Sequence, residues 1–356
     1  MQFKYPIFCL LAFLLSVPVS GQPQLTDLKK AKTHTLQPAP IEWGEKSLPF
    51  KKVVVVDSRF DTSKLGYIMG RRHYEKLHTS GPLAEAIQQT INTYQKPGNS
   101  LHVPTLYIFI KHLWLQQASS KEFNKQNVSS GLTNDTFFVA CKATLECYLQ
   151  IDDSLYSPLF RLDTTLVQKG ILRKKAEALL SAPFQLTFQH LTRIDLNRKR
   201  KQMSWEEVIA YDNRNKKYTR LQADTLERGI YLTFQDFLHN RVTKTSFEVQ
   251  WGLTDELYTI DGDNKKLFLE LWGFCDGQKQ YVKVGYNFFE LSREQDTYEM
   301  IGAKKLIHMP DVVSRPTSSS PVDLISTGII NMAGRGDTKT TLLKPLQLNM
   351  ETGEPY

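Results

Sequence analysis

Residues Lys51 to Gly70 read KKVVVVDSRFDTSKLGYIMG, and the four consecutive valines constrain the chain more than any other stretch. Val53 to Val56 are β-branched, stiff at χ1 and suited to a pleated surface. A run that is apolar at every position, rather than at every second one, predicts a strand buried on both faces. Such a strand is expected inside a sheet, as the central strand of a first domain. Asp57 closes the run, and Asp57, Arg59 and Asp61 then stand two apart in the loop that leaves it. Loops after central strands are where sites collect. Asp57, Arg59 and Asp61, with His73 and His78 farther along the same loop, are therefore the candidate ligand-binding residues. A turn whose carboxylates bond nearby N–H groups and Arg59 accounts for the same spacing without a ligand.

The N-terminus reads as an export signal over residues 1–22. Lys4 supplies a positive start, Ile7 to Val19 are almost wholly apolar, and Val19, Ser20 and Gly21 are small residues ahead of Gln22. The apolar core is too short to span a bilayer, and no later run of 18 apolar residues follows. An exported protein in the periplasm or outside the cell, with no transmembrane span, is the expectation. Export also removes nucleic acid as a partner for the basic cluster Arg198-Lys199-Arg200-Lys201. Residues 193 to 220 hold nine Lys and Arg against four Asp and Glu. A solvated linker, or a peripheral contact with anionic lipid head groups or acidic glycans, remains for it.

After export three cysteines are left, Cys141, Cys147 and Cys275, too few and odd in number for a disulfide framework. Cys141 and Cys147 fall on one predicted strand, where six residues span about 20 Å. A bridge needs Cα atoms within about 7 Å, so these two are not partners of each other. Buried free thiols are expected, with a pairing of one of them to Cys275 left open.

Five segments follow from composition and periodicity. Residues 1–22 are the signal, 23–45 a polar, proline-bearing flexible leader, 46–197 a first domain, 198–309 a second, and 310–356 a linker and tail. In the first domain, Leu83, Ile87, Ile91 and Tyr94 mark one face of a helix opened by Gly81-Pro82. Val103–Leu115 predicts a second interior strand. Phe137–Gln150 alternates cleanly, with Val139, Cys141, Ala143, Leu145, Cys147 and Leu149 on one face and Lys142, Thr144, Glu146 and Gln150 on a face expected to be wet. A fourth strand through Phe160–Leu166 and a helix over Leu172–Ile194, interrupted or kinked at Pro183, complete a β-α-β-β-β-α order. That order predicts an antiparallel or mixed sheet with helices on one face. It resembles the small periplasmic accessory factors of outer-membrane and cell-wall assembly.

In the second domain, Ser204 with Glu207 forms a capping box. Asp224 with Glu227 predicts a longer helix carrying Leu226, Ile230, Phe234 and Phe237, stopped near Asn240. Asp261-Gly262 and Asp276-Gly277 are turn dipeptides in an antiparallel meander. The fold class expected is α+β, in two domains, each an antiparallel or mixed sheet with helices on one face. The segments Trp272–Leu291 (WGFCDGQKQYVKVGYNFFEL) and Leu346–Tyr356 (LQLNMETGEPY) resemble those of uncharacterised exported proteins of Bacteroidetes. That resemblance implies a compartment and no activity. Leu346, Leu348 and Met350 alternate, so the tail is suited to add a strand.

Motifs for zinc hydrolysis, P-loop or dinucleotide binding, redox CxxC chemistry and the nucleophile elbow are absent from the sequence. The eight histidines are scattered and none has a partner four residues away. Asp261, Asp263 and Asn264 resemble a calcium loop, but Lys265 stands where an oxygen ligand is needed. No metal and no cofactor are expected. The reading is a non-catalytic envelope protein that works through contact with another envelope protein. The alternatives are a hydrolase or carbohydrate-acting enzyme without short motifs, and a sugar- or lipid-binding module using Trp251, Trp272, Tyr281 and Tyr286.

Overall fold

The computed structural model describes residues 28, 30–41, 50–69, 74–94, 104–119, 137–196, 198–213, 218–222, 227–252, 254–303 and 343–355. The export signal, His73 and residues 310–342 of the expected linker and tail lie outside them. The chain is an α+β fold with several sheets. Its first part runs through β1 (Lys32–Leu36), β2 (Lys52–Asp57), β3 (Tyr67–Met69), β4 (Tyr74–Thr79), helix α1 (Leu83–Tyr94), the long strands β5 (Thr105–Ser119), β6 (Phe137–Gln150) and β7 (Leu155–Lys169), and helix α2 (Leu172–Leu191). β8 (Met203–Ser204) and helix α3 (Trp205–Asn213) follow.

The first sheet has the order β2-β5-β6-β7-β8, with β2 parallel to β5 and the other neighbours antiparallel. The valine strand is thus an edge strand, which corrects its expected central place. Burial on both faces does not require a neighbour on both sides. Val53 and Val55 face the core under α1, and Val56 packs on the opposite face near Phe109 and Trp205. The open edge is closed by one side chain. Gln88 of α1 donates from Nε2 to the Val53 carbonyl (2.8 Å) and accepts from the Val55 N–H (2.9 Å).

The core lies between this sheet and the helices α1 and α2. Leu83, Ile87 and Ile91 of α1 and Leu172, Ala176, Leu179, Leu180 and Phe184 of α2 meet Leu106, Ile108, Val139, Cys141, Ala143, Leu145 and Cys147. The alternation of β6 is realised, but its second face is not wet. Thr144 and Glu146 are each only 6% exposed. Trp205 and Val208 of α3 lie against Phe109, Tyr148 and Tyr156 on that side, and the C-terminal segment covers more of it. Arg161 and Glu351 form an ion pair across the junction. A periodic sequence shows which residues share a face, while distant segments decide whether that face meets water. Cys141, Cys147 and Cys275 are all buried and free, so the pairing left open with Cys275 is not made.

Residues 32–36 of the expected flexible leader form β1, parallel to β4, in a small sheet of order β1-β4-β3. The loop expected between the valine strand and the first helix therefore carries β3 and β4. Gly66 docks this small sheet on the first one. Its backbone sits at φ +136°, and an added Cβ would lie 2.1 Å from the Leu115 carbonyl oxygen. Close approach and left-handed backbone both need glycine there.

The second part holds helix α4 (Thr219–Gln222), β9 (Gly229–Tyr231), helix α5 (Phe234–Leu238) and eight further strands: β10 (Phe247–Gln250), β11 (Glu256–Asp261), β12 (Asn264–Leu267), β13 (Gly273–Cys275), β14 (Gln280–Val284), β15 (Asn287–Glu294), β16 (Thr297–Ala303) and β17 (Leu343–Gln347). They form a six-stranded sheet of order β17-β16-β15-β14-β13-β9 and a three-stranded sheet β10-β11-β12. The long helix expected across Ile230 is not formed. Ile230 and Tyr231 pair with Phe274 and Gly273 as strand β9, and the helix begins later at a capping box made by Thr233 and Asp236. Pairing along the sheet outweighs a helical spacing of apolar residues that the core also satisfies. The capping box at Ser204 and Glu207 is formed, and Gly262 and Gly277 take the positive φ that their turns require. Leu346, Leu348 and Met350 are buried, as β17 and its continuation dock on β16.

Candidate functional site

The loop that leaves β2 carries Asp57, Arg59 and Asp61, of which Asp57 and Arg59 bond to each other while Asp61 takes other partners. Asp57 is the last residue of β2, and Arg59 turns back onto it. Arg59 donates from Nε to Asp57 Oδ1 (2.9 Å), from Nη2 to Asp57 Oδ2 (2.8 Å) and from Nη1 to the Lys64 carbonyl (2.6 Å). A bidentate pair of this kind fixes the geometry of both side chains. Asp61 accepts from the Ser63 N–H (2.7 Å), so the local turn accounts for one of its oxygens.

The other Asp61 oxygen belongs to a larger cluster. Lys64 Nζ lies 2.7 Å from Asp61 Oδ2 and 2.8 Å from Glu299 Oε1. Tyr67 donates its hydroxyl to Glu299 Oε2 (2.9 Å), and Gln347 donates from Nε2 to Asp61 Oδ2 (3.1 Å). Asp61, Lys64 and Glu299 are each at most 4% exposed. The cluster thus joins the β2 loop and β3 to β16 and β17. Apolar contacts surround it. Phe60 packs with the cluster that holds Tyr298, Met300 and Leu348, and Tyr67 with Trp114 and Ile301.

Burial and pairing act on these groups in opposite directions. Burial pushes the Asp61 carboxyl up, but Lys64 and the bonds from Ser63 outweigh it and leave it below the ordinary carboxylate value. Burial would lower the Lys64 ammonium, yet Glu299 and Asp61 raise it. Glu299 stays raised, because burial is only partly offset by Lys64 and Tyr67, and the Asp61 charge adds to it. The positive centre is shared between two buried carboxylates.

Two clefts flank the loop. One lies between the first sheet and the C-terminal segment, lined among others by Arg59, Asp61, Lys111, Thr144, Gln347 and Glu351. The other is lined by Arg59, Thr62, Lys64, His78, Thr79 and Leu83. His78 stands on β4, with its Nε2 buried and without a hydrogen-bond partner among the described residues. Burial, and then Lys76 and Lys64, lower its pKa, so it is neutral near pH 7. Most charged atoms lining these clefts already have partners. Lys111 is paired with Asp212 and Glu351 with Arg161.

The basic cluster is divided in role. Arg198, Lys199 and Lys201 are exposed. Arg200 instead folds back, donating to the carbonyls of Asp195 (2.7 Å) and Arg198 (3.0 Å) beyond the end of α2. Lys64, Tyr67, Glu299 and Gln347 were not singled out from sequence. The spacing of Lys64 from Asp61 was one available signal. A glutamate between the core residues Tyr298 and Met300 reads as the wet side of a strand until a second sheet covers it.

Among the described residues no group of three or more His, Cys, Asp or Glu could hold a metal ion, and no helix is long and apolar enough to cross a membrane. No family model and no curated protein matches the chain. A solved structure described as "Crystal structure of uncharacterized protein" matches with a TM-score of 0.25 and 8% identity, over 45% of this chain and 98% of that one. A likeness at that level bears on neither function nor site.

Proposed function

We propose that this chain is an exported, non-catalytic envelope protein that works by binding another envelope protein. The observation that carries the reading is the three-stranded sheet. One face of it covers a core through Phe247, Val249 and Leu257. Its edge strand β12 is exposed at all four residues, and its outer face presents Tyr258, Ile260 and Leu267 among charged neighbours. An edge with unpaired backbone groups beside a mixed apolar and charged face is suited to protein contact. The Asp57–Lys64 loop supports the same reading from the other side, because its polar atoms are spent on internal bonds.

The test is a crosslinked pull-down of the tagged mature protein from its own envelope. A reproducible partner should be recovered by the wild type and lost by Tyr258→Ala combined with Leu267→Asp. It should be kept by His78→Ala. Loss of the partner or phenotype through His78→Ala alone, with an unchanged thermal midpoint, would overturn the reading. So would turnover on a panel of esters, peptides and glycans.

A further inference from the structure

We infer that Trp251 and Tyr286 together form a binding site for an uncharged pyranose glycan. This goes beyond the protein-contact reading and adds a second, smaller surface next to the three-stranded sheet. Trp251 follows β10, and Tyr286 stands in the turn between β14 and β15, where Gly285 takes φ +63°. The indole is 53% exposed and the phenol 74%. Large rings left this far in water contribute little to folding, since the stabilisation comes from the apolar area removed from solvent.

The turns that carry the rings are nonetheless tied to each other. The Asp255 carboxylate accepts from the Gly252 N–H (3.2 Å) and from the Phe288 N–H (2.8 Å), and the Asp255 N–H donates to the Tyr286 carbonyl (2.9 Å). A single residue thus ties the two ring-bearing turns together. Beneath, the indole lies 5.3 Å from the Tyr281 ring and 6.2 Å from that of Phe288, and Tyr281 stacks on Phe274 at 4.8 Å. The indole is thus exposed on one side and backed by a packed aromatic bed on the other, ordered before any ligand arrives, with Tyr286 on the turn tied beside it.

Size selects the occupant. Half an indole and three quarters of a phenol amount to roughly 250 Å² of ring surface. A standard protein interface needs about 800 Å² from each partner. The ring pair is too small to anchor a protein alone, and matches the C–H faces of one to three sugar rings. Aromatic faces are electron-rich and attract such C–H groups. Hydroxyls at a sugar's rim need polar partners, and these stand alongside. Glu290 is directly opposite Tyr281 on the neighbouring strand and pairs with Lys279 at 2.7 Å. Because that carboxylate and ammonium balance, the site favours an uncharged ligand over an anionic one.

The experiment titrates the mature chain with hexasaccharides of β-1,4-linked glucose, xylose, mannose and N-acetylglucosamine, followed by tryptophan fluorescence and calorimetry. At least one should bind saturably. Trp251→Ala should weaken that binding about tenfold or more and Tyr286→Ala severalfold, the latter at an unchanged thermal midpoint. The Tyr258→Ala, Leu267→Asp variant should bind sugar as the wild type does, while Trp251→Ala still captures the protein partner. Failure of the glycan site and failure of the protein-contact reading are thereby told apart. The inference is overturned if no hexasaccharide binds, if Trp251→Ala binds unchanged, or if Trp251 instead governs binding to phosphatidylcholine vesicles.

Discussion

Lys64 shows how a single buried charge can hold two sheets together. Its ammonium stands between Asp61 of the β2 loop and Glu299 of β16. Lys64→Met would leave two buried carboxylates without a counter-charge, a loss of about 3–5 kcal/mol. This is read as a lower urea midpoint at unchanged slope. Adding Asp61→Asn and Glu299→Gln should recover much of the loss, because no charge then remains to be desolvated. An unchanged midpoint for Lys64→Met would mean that the junction does not depend on the cluster. The pH dependence follows from the shifts. Lys64 is raised, so its contribution is fully present below about pH 10.4 and is lost as pH rises through its folded value. Asp61 is lowered, so its contribution is present above about pH 3.9 and is lost as pH falls through its folded value. Glu299, being raised, opposes Asp61 and softens the acid limb. Stability should therefore fall on the alkaline side of about pH 10.4, and Lys64→Met should flatten that limb in denaturation curves measured at successive pH values.

At the level of elements, Gln88 matters more than its place on an exposed helix suggests. By bonding Val53 and Val55 it closes the edge of the first sheet, where an open valine strand would invite pairing with another chain. Gln88→Leu keeps the helix but strips both backbone partners, at a cost of about 1–3 kcal/mol. Light scattering of the variant should rise with concentration, and an unaltered denaturation midpoint with no added scattering would refute the edge role. Several elements were legible because local chemistry fixed them. The apolar spacing of α1, the alternation of β6 and the turns at Gly262 and Gly277 were all readable in this way. The helix expected through Ile230 was misread because Ile230, Phe234 and Phe237 fit a helical stripe as well as they fit a strand followed by a short capped helix. Non-local pairing with β13 decided between the two.

On the scale of the whole molecule, the C-terminal segment is the device that unites the two parts. β17 completes the six-stranded sheet, Gln347 bonds Asp61, and Glu351 pairs with Arg161 of the first sheet. Deleting residues 343–356 should expose the apolar cluster around Tyr298 and Met300 and uncover Thr144 and Glu146 on β6. Hydrogen exchange should then accelerate in β16 and in β6 together. Acceleration confined to β16 would show that the tail belongs to the second part alone.

The sequence by itself determined which residues share a face, where turns need glycine, the α+β class, and the grouping of Asp57, Arg59 and Asp61 in one loop. These properties arise from interactions among near neighbours, whose geometry the backbone period sets. Only the tertiary structure decided that the valine strand lies at an edge, that the polar face of β6 is covered, and that Asp61 shares Lys64 with Glu299. Those outcomes depend on segments far apart in the chain, as Lys64 and Glu299 are. No local periodicity records which distant surface will exclude water from a given face.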